Sequence, residues 1–263
     1  MKTNTIALLS DFGTTDPFVS VIKGVLLSKL PGLAIIDITH QVPPQDIQTA
    51  AFYLMAAMPY MPKSTLFMNV VDPTVGTGRG IIWAKTLNYQ FIAPDNGLIS
   101  WVERNEKIIE ARFINNSALF SKDISATFHG RDIMAPVAAA IARGLPEKKL
   151  GPVFNEYRRL PFPLPEKAGN RVTGQVIAID HFGNAITNIR RSHINANAVF
   201  GIAHHMLKGL KLTYASVPEG EALAVIGSFG FLEFSVRNGN FARAFDVKIG
   251  SPVEAMGSID ERH

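Results

Sequence analysis

The sequence predicts an α/β protein whose N-terminal, mostly parallel sheet is flanked by helices, with a C-terminal all-β, barrel-like domain. Three observations carry that prediction. Apolar strand-like runs alternate with helical ones through the first half of the 263-residue chain. The later runs are short, rich in β-branched residues and separated by Gly turns. Between the two regions stands Leu160-Pro161-Phe162-Pro163-Leu164-Pro165, a Pro-alternating stretch suited to an extended connection. The expected organisation is therefore an α/β domain over residues 1–158, a Pro-rich linker over 159–171 and a β-barrel domain over 172–263.

Taken in order, Thr5–Leu9 reads as a buried strand, Phe18–Leu30 as a helix ended by Pro31-Gly32, and Leu33–Ile38 as a second strand. Gln48–Met58 is Ala- and Met-rich and helical, stopped by Pro59 and Pro62. Leu66–Val71, Ile81–Lys85 and Phe91–Ala93 read as further strands, and Asp132–Arg143 as an Ala-rich helix. Alternation of this kind places helices on the faces of a parallel sheet. Beyond the linker, Val172–Ile179, Leu210–Tyr214, Ala222–Ile226, Phe231–Val236 and Pro252–Ala255 are the expected strands. Strands at this spacing without intervening helices indicate a barrel.

Composition narrows the chemistry. With 47% apolar and 18% charged residues the chain can bury a sizeable core and is not a tail-like protein. It contains no Cys, which excludes disulfide scaffolds, thiolate zinc sites and cysteine nucleophiles. The net charge of +4 comes from scattered pairs such as Lys148-Lys149, Arg158-Arg159 and Arg190-Arg191, so no nucleic-acid partner is expected. Asp11 interrupts the first apolar run too early for a signal peptide or a membrane span, and a soluble cytoplasmic protein is expected. His204-His205 lacks other ligand types nearby in sequence, and no metal site is expected there.

Four polar or Gly-rich turns follow strands directly: Ser10-Asp11-Phe12-Gly13, Asp37-Ile38-Thr39-His40, Asp72–Arg79 and Pro94-Asp95-Asn96-Gly97. Open α/β sheets bind ligands at strand carboxyl ends, so these turns would gather at one edge. Asp72, Arg79 and His129 supply a carboxylate, a guanidinium and an imidazole, a set able to hold and activate water. Each also has an ordinary reading: Asp72-Pro73 with Arg79 as a capped turn, His129 as a hydrogen-bonded histidine, Asp132 as a first-turn carboxylate. Asp180-His181-Phe182-Gly183-Asn184 reads either as a β-turn or as Asp180 and Asn184 facing a ligand. Ser10-Asp11-Phe12-Gly13 lacks the rest of a kinase signature. Gly76-Thr77-Gly78-Arg79-Gly80 lacks the remainder of a dinucleotide or P-loop motif.

Together, seven segments in order resemble one family. They are Ser10–Asp16, Asp37–His40, Val71–Arg79, Pro94–Leu98, Thr127–Asp132, Asp180–Asn184 and Ser228–Glu233. The family is the S-adenosylmethionine hydroxide adenosyltransferases, or adenosine-forming S-adenosylmethionine hydrolases, relatives of the fluorinating and chlorinating enzymes. The resemblance implies a homotrimer with sites between subunits, S-adenosylmethionine as substrate, adenosine as product and no cofactor. It implies Asp72, Arg79 and His129 as the catalytic set and Asp11 on the ribose hydroxyls. Adenine would lie near Asn184 and the backbone from Val236 to Asn238, stacked on Phe182. The methionine end would lie near Asp16, Asp180 and Ser228, with Glu233 counted in the substrate-binding set. Thr74 stands where the family usually has Gly, and Gly80 where it has a second basic residue. The halogenating relatives carry aromatic residues at the positions of Asp72 and His129 and Ser at that of Gly130, so the resemblance implies hydrolysis in preference to halide transfer.

Overall fold

The computed structural model describes residues 3–258, which divide into two compact units between Pro161 and Phe162. In the first unit the chain runs β1 (Thr5–Ser10), α1 (Phe18–Lys29), β2 (Ala34–Thr39), α2 (Ile47–Ala57), β3 (Leu66–Val70), β4 (Ile81–Lys85), β5 (Gln90–Pro94), β6 (Glu110–Phe113) and α3 (Ala135–Ala142). The strands lie in the order β2-β1-β3-β5-β4-β6. β2, β1, β3 and β5 are parallel, whereas β4 runs antiparallel to both β5 and β6.

Side-chain alternation along the central strands builds a three-layer core. Ile6 and Leu8 of β1 and Met68 of β3 pack with Ile22 and Leu26 of α1 and Val137 and Ile141 of α3. Their neighbours Ala7, Leu9 and Phe67 face the opposite way, onto Ala50 and Leu54 of α2. A strand buried on both faces needs a continuous apolar run, which is why β1 and β3 read so clearly in the sequence. The order also creates a topological switch point, because β2 and β3 leave β1 on opposite sides. Crevices at such points collect the loops that follow the strands.

The second unit runs β7 (Glu166–Ala168), β8 (Arg171–Ile179), β9 (Ala185–Arg190), β10 (Ile194–Ile202), β11 (His205–Lys208), β12 (Leu210–Lys211), β13 (Ala222–Ile226), β14 (Phe231–Val236), α4 (Phe241–Ala244) and β15 (Pro252–Ser258). Its ladder is β11-β10-β15-β8-β9-β14-β13-β12, with β7 added to β8. The two ends of that ladder come back together: β12 lies beside β10, and β11 beside β13. A barrel-like sheet encloses Val176, Ile189, Phe200, Phe234 and Phe241.

Several local expectations are corrected. The helix expected over Asp132–Arg143 opens as a π-helical turn, Gly130–Met134, before α3 begins. The strand expected over Leu210–Tyr214 shortens to β12, and Tyr214–Ser216 forms a 3₁₀ turn held by Thr213 and Ser216 side chains. Strands β6, β7, β9, β10 and β11 are not among those expected: Asn188 breaks the alternation of β9, Asn195 and Asn197 that of β10, and β6, β7 and β11 span only three or four residues. The segment 159–171 is extended but anchored. Leu160 bonds Ser100 and the Trp101 indole in the first unit, Asn188 bonds the Pro163 carbonyl in the second, and β7 lies within it. The end of the segment expected over 172–263 lies outside the described residues. Among the described residues no helix is long and apolar enough to cross a membrane.

Candidate active site

A crevice of about 300 Å³ opens in the first unit, lined by Asp11, Phe12, Phe18, Gln45, Asp72, Thr127, Phe128 and His129 among others. Asp11 follows β1, Gln45 lies beyond β2 and Asp72 follows β3, so the crevice sits where the switch point puts it. Asp16 is exposed at the end of the loop that starts with Asp11.

Asp72 and Arg79 form a buried pair, each side chain only 7% exposed. Arg79 Nε donates to Asp72 Oδ1 at 2.8 Å, Nη2 faces Oδ2, and Nη1 donates to the Gly80 carbonyl at 3.1 Å. Burial lowers the guanidinium pKa to about 10, with Asp95 opposing that change, so Arg79 stays charged at neutral pH. Thr74 adds its N–H and hydroxyl to Asp72 Oδ1 at 3.3 and 3.4 Å, a second donor that the usual Gly would not offer. Gly80 has its own cause. A Cβ there would lie 2.1 Å from the Phe113 ring, so no basic side chain fits while Phe113 keeps this place.

His129 caps the π-helical turn. Its Nδ1 is buried and has no hydrogen-bond partner among the described residues. Burial pushes its pKa down, the Arg79 charge pushes the same way, and Asp132 pulls it back up. At neutral pH the imidazole is therefore uncharged and offers a lone pair. π-Turns of this kind are rare and frequently found at functional sites.

Two residues overlooked as contributors hold these groups. Asn96 donates to the Val71 carbonyl at 2.8 Å, directly before Asp72. Asp132, read as a first-turn carboxylate, does more. It takes Arg131 Nε and Nη2 at 2.7 and 2.9 Å and the Ser125 N–H at 2.9 Å, and so ties the loop before His129 to the turn after it. Arg131 in turn lies over the Phe128 ring at 5.1 Å. Phe12, Phe18 and Phe128 meet pairwise at 5.4–5.7 Å, forming an apolar wall of the crevice.

The second unit carries the remaining candidates. Asp180 builds its own turn. Oδ1 accepts the Phe182 and Asn184 N–H groups at 2.9 and 2.8 Å, Oδ2 accepts Asn184 Nδ2 at 2.9 Å, and Gly183 takes φ +83°. Three donors on two carboxylate oxygens leave capacity for one more. Phe182, 71% exposed, projects from that turn, and Ser228 is exposed on another loop. Val236, at the end of β14, is half-buried. Glu233 is only 5% exposed; its Oε1 accepts from Tyr214 Oη at 2.7 Å and Ser235 Oγ at 2.9 Å. Burial raises its carboxyl pKa, Tyr214 and Ser235 hold it down, and Asp180 raises it further. Asp180, Asn184 and Glu233 thus cluster, with Phe182 and Ser228 on loops at the surface. Among the described residues no group of three or more His, Asp or Glu is placed to hold a metal ion.

The fold and crevice define a two-unit α/β-plus-β protein with a carboxylate, a guanidinium and an uncharged imidazole at the switch point of its sheet. Residues 6–151 match the SAM hydroxide adenosyltransferase N-terminal domain, and residues 174–254 match the corresponding C-terminal domain. The chain belongs to the SAM hydroxide adenosyltransferase family. It is 38% identical over 260 residues to the (R)-S-adenosyl-L-methionine hydrolase of Thermus thermophilus, covering 95% of this chain and 99% of that one. A fluorinase of an Actinoplanes species is 28% identical over 94% of this chain and 96% of its own. The crystal structure of an uncharacterised conserved protein from Thermotoga maritima superposes with a TM-score of 0.89 at 37% identity, covering 95% of this chain and 99% of that one.

Proposed function

We propose that this protein hydrolyses S-adenosyl-L-methionine to adenosine and L-methionine by attack of water on the ribose C5′. The observation that carries the proposal is the single crevice shared by Asp11, Asp72 and His129, with Arg79 locked behind Asp72. The water oxygen bonds to C5′ as the C5′–S bond breaks, and that electron pair leaves on sulfur as a neutral thioether. The leaving group needs no proton, so the nucleophile limits the reaction. Free water, with a pKa of about 15.7, attacks saturated carbon poorly.

The side chains divide the work. Asp72 is clamped by Arg79 and orients the water. The His129 imidazole, uncharged at neutral pH, accepts the proton. General-base help of this kind contributes about 10²–10⁴-fold. In-line placement at C5′ and exclusion of bulk water by the Phe12–Phe18–Phe128 wall supply the rest. Asp11 holds the ribose hydroxyls; its Oδ2 already accepts the Gln45 N–H at 2.8 Å, which fixes the carboxylate's orientation. In the second unit, Phe182 stacks on adenine, Asn184 and the Val236 backbone bond its edge, and Asp180 with Ser228 receives the methionine end together with Asp16. No cofactor is needed for this chemistry.

Two features favour water over halide. Halide needs no base, yet this site carries one. A Cβ on Gly130 would lie 3.1 Å from Val70 and 3.4 Å from Ile22, leaving little space for the Ser of the halogenating relatives. We place the working enzyme as a cytoplasmic homotrimer whose sites form between subunits. Incubation with S-adenosylmethionine in ¹⁸O-water tests the reaction. Label at the adenosine 5′-oxygen is expected, whereas binding without product, or a halogenated nucleoside, would refute hydrolysis.

A further inference from the structure

Beneath the loop that carries Asp11, a chain of polar groups runs from the surface into the core. Lys23 Nζ lies 2.6 Å from Asp37 Oδ2. Asp37 Oδ1 lies 3.1 Å from His40 Nε2, in a bent contact, and His40 Nδ1 lies 2.7 Å from Ser10 Oγ. Ser10 and His40 are 2% and 6% exposed. Ser, His and Asp in contact resemble a hydrolytic triad. Ser10, however, is closed off from any substrate and bonds the opposite ring nitrogen from a triad serine.

The direction of the chain follows from its outer end. A carboxylate oxygen repels a lone pair at this range, so His40 Nε2 carries the hydrogen, at an angle too bent for a hydrogen bond, and Nδ1 keeps the lone pair. Ser10 then donates to Nδ1, and its oxygen remains free to accept the Phe12 N–H, 3.4 Å away. The His40 carbonyl accepts the Gly13 N–H at 2.7 Å, where the backbone takes φ +67°. Ser10 and His40 therefore grip the backbone just after Asp11, at Phe12 and Gly13, and neither reaches the crevice through its own functional group.

We propose that His40 is a positioning residue: through Ser10 and the Gly13 N–H it fixes the Asp11 carboxylate for the ribose hydroxyls, in a tautomer set by Asp37. This rests on the ribose assignment of Asp11 made above. The relay acts on a binding contact made equally in the ground and transition states, so its loss raises KM more than it lowers kcat.

The test compares adenosine with 2′,3′-dideoxyadenosine by calorimetry on the full chain, in wild type and in Ser10→Ala, Asp37→Ala and Asp37→Asn. Asp37 is a surface residue, so its variants fold even if Ser10→Ala does not. Wild type should prefer adenosine by at least about tenfold, the scale of hydrogen bonds to a charged group. Ser10→Ala and Asp37→Ala should bring that preference to within about threefold of parity, with KM for S-adenosylmethionine up about tenfold and kcat down less than threefold. Asp37→Asn keeps an oxygen facing Nε2–H and should restore the preference. A general loss of stability would weaken both nucleosides alike. Undiminished preference in Asp37→Ala or Ser10→Ala overturns the relay while leaving the ribose assignment intact. Parity in wild type removes the ribose assignment itself, and the relay with it.

Discussion

The Phe113 ring occupies the space into which any side chain on residue 80 would grow, with Cε2 2.1 Å from the Cβ position. Gly80 also supplies the carbonyl that receives Arg79 Nη1 and the Asp95 N–H, so its backbone helps aim the catalytic guanidinium. Gly80→Ala should destabilise the protein by about 1–3 kcal/mol, the range for overpacking a filled site. The Gly80→Ala/Phe113→Leu double variant should recover most of that loss. Thermal unfolding of wild type, Gly80→Ala, Phe113→Leu and the double variant decides; additive losses would mean that the two residues do not share the space.

Breaking the buried Asp72–Arg79 pair on one side strands a charge. Asp72→Ala should cost about 3–5 kcal/mol in urea unfolding and abolish adenosine release, while a substrate analogue still binds. Replacing both residues, Asp72→Leu with Arg79→Met, should regain stability without regaining activity. Turnover by Asp72→Ala would end its assignment to the water.

His129 makes a signed prediction about pH. Its folded pKa lies below the ordinary 6.5, chiefly through burial, so the unfolded chain binds a proton more readily than the folded one. Its contribution to stability is thus complete above pH 6.5 and fades as pH falls through the lower folded value. The acid limb of kcat/KM should also fall below pH 6.5, because the uncharged ring is the working form. His129→Gln should flatten the stability profile in that window and abolish turnover. An acid limb above 6.5 contradicts the assignment.

Glu233 titrates with the opposite sense. Burial raises its folded pKa above 4.5, so wild-type stability declines as pH rises from 4.5 through the folded value. Glu233→Gln keeps an acceptor for Tyr214 Oη and escapes that decline. Its melting temperature should gain on wild type progressively above pH 4.5, and a constant offset across the range would show that the carboxyl is not strained by burial.

How much of this could be read in the sequence follows from where the signal is local. Ile81–Lys85, Ala222–Ile226 and Phe231–Val236 were placed to the residue, because each is a compact apolar run bounded by turn residues. β9 and β10 escaped notice. Buried Asn188, half-buried Asn195 and exposed Asn197 break the alternation, and these strands are held by cross-strand pairing. Asp72, Arg79 and His129 stood out through their Gly and Pro neighbours, whereas the work of Asp132 and Asn96 lies in contacts no spacing reveals.

The sequence by itself determined the order of the two folding patterns, the absence of thiol chemistry and the residue types at the site, since these follow from composition and local periodicity. The tertiary structure decided what each group can do. Arg79 is committed to Asp72, Asp180 to its own turn, and the buried Nδ1 of His129 has no hydrogen-bond partner among the described residues. Those assignments depend on burial and on partners distant in the chain, such as Ser10 and His40, thirty residues apart. Hydrogen-bond availability is a property of the space around an atom, and only the folded chain defines that space.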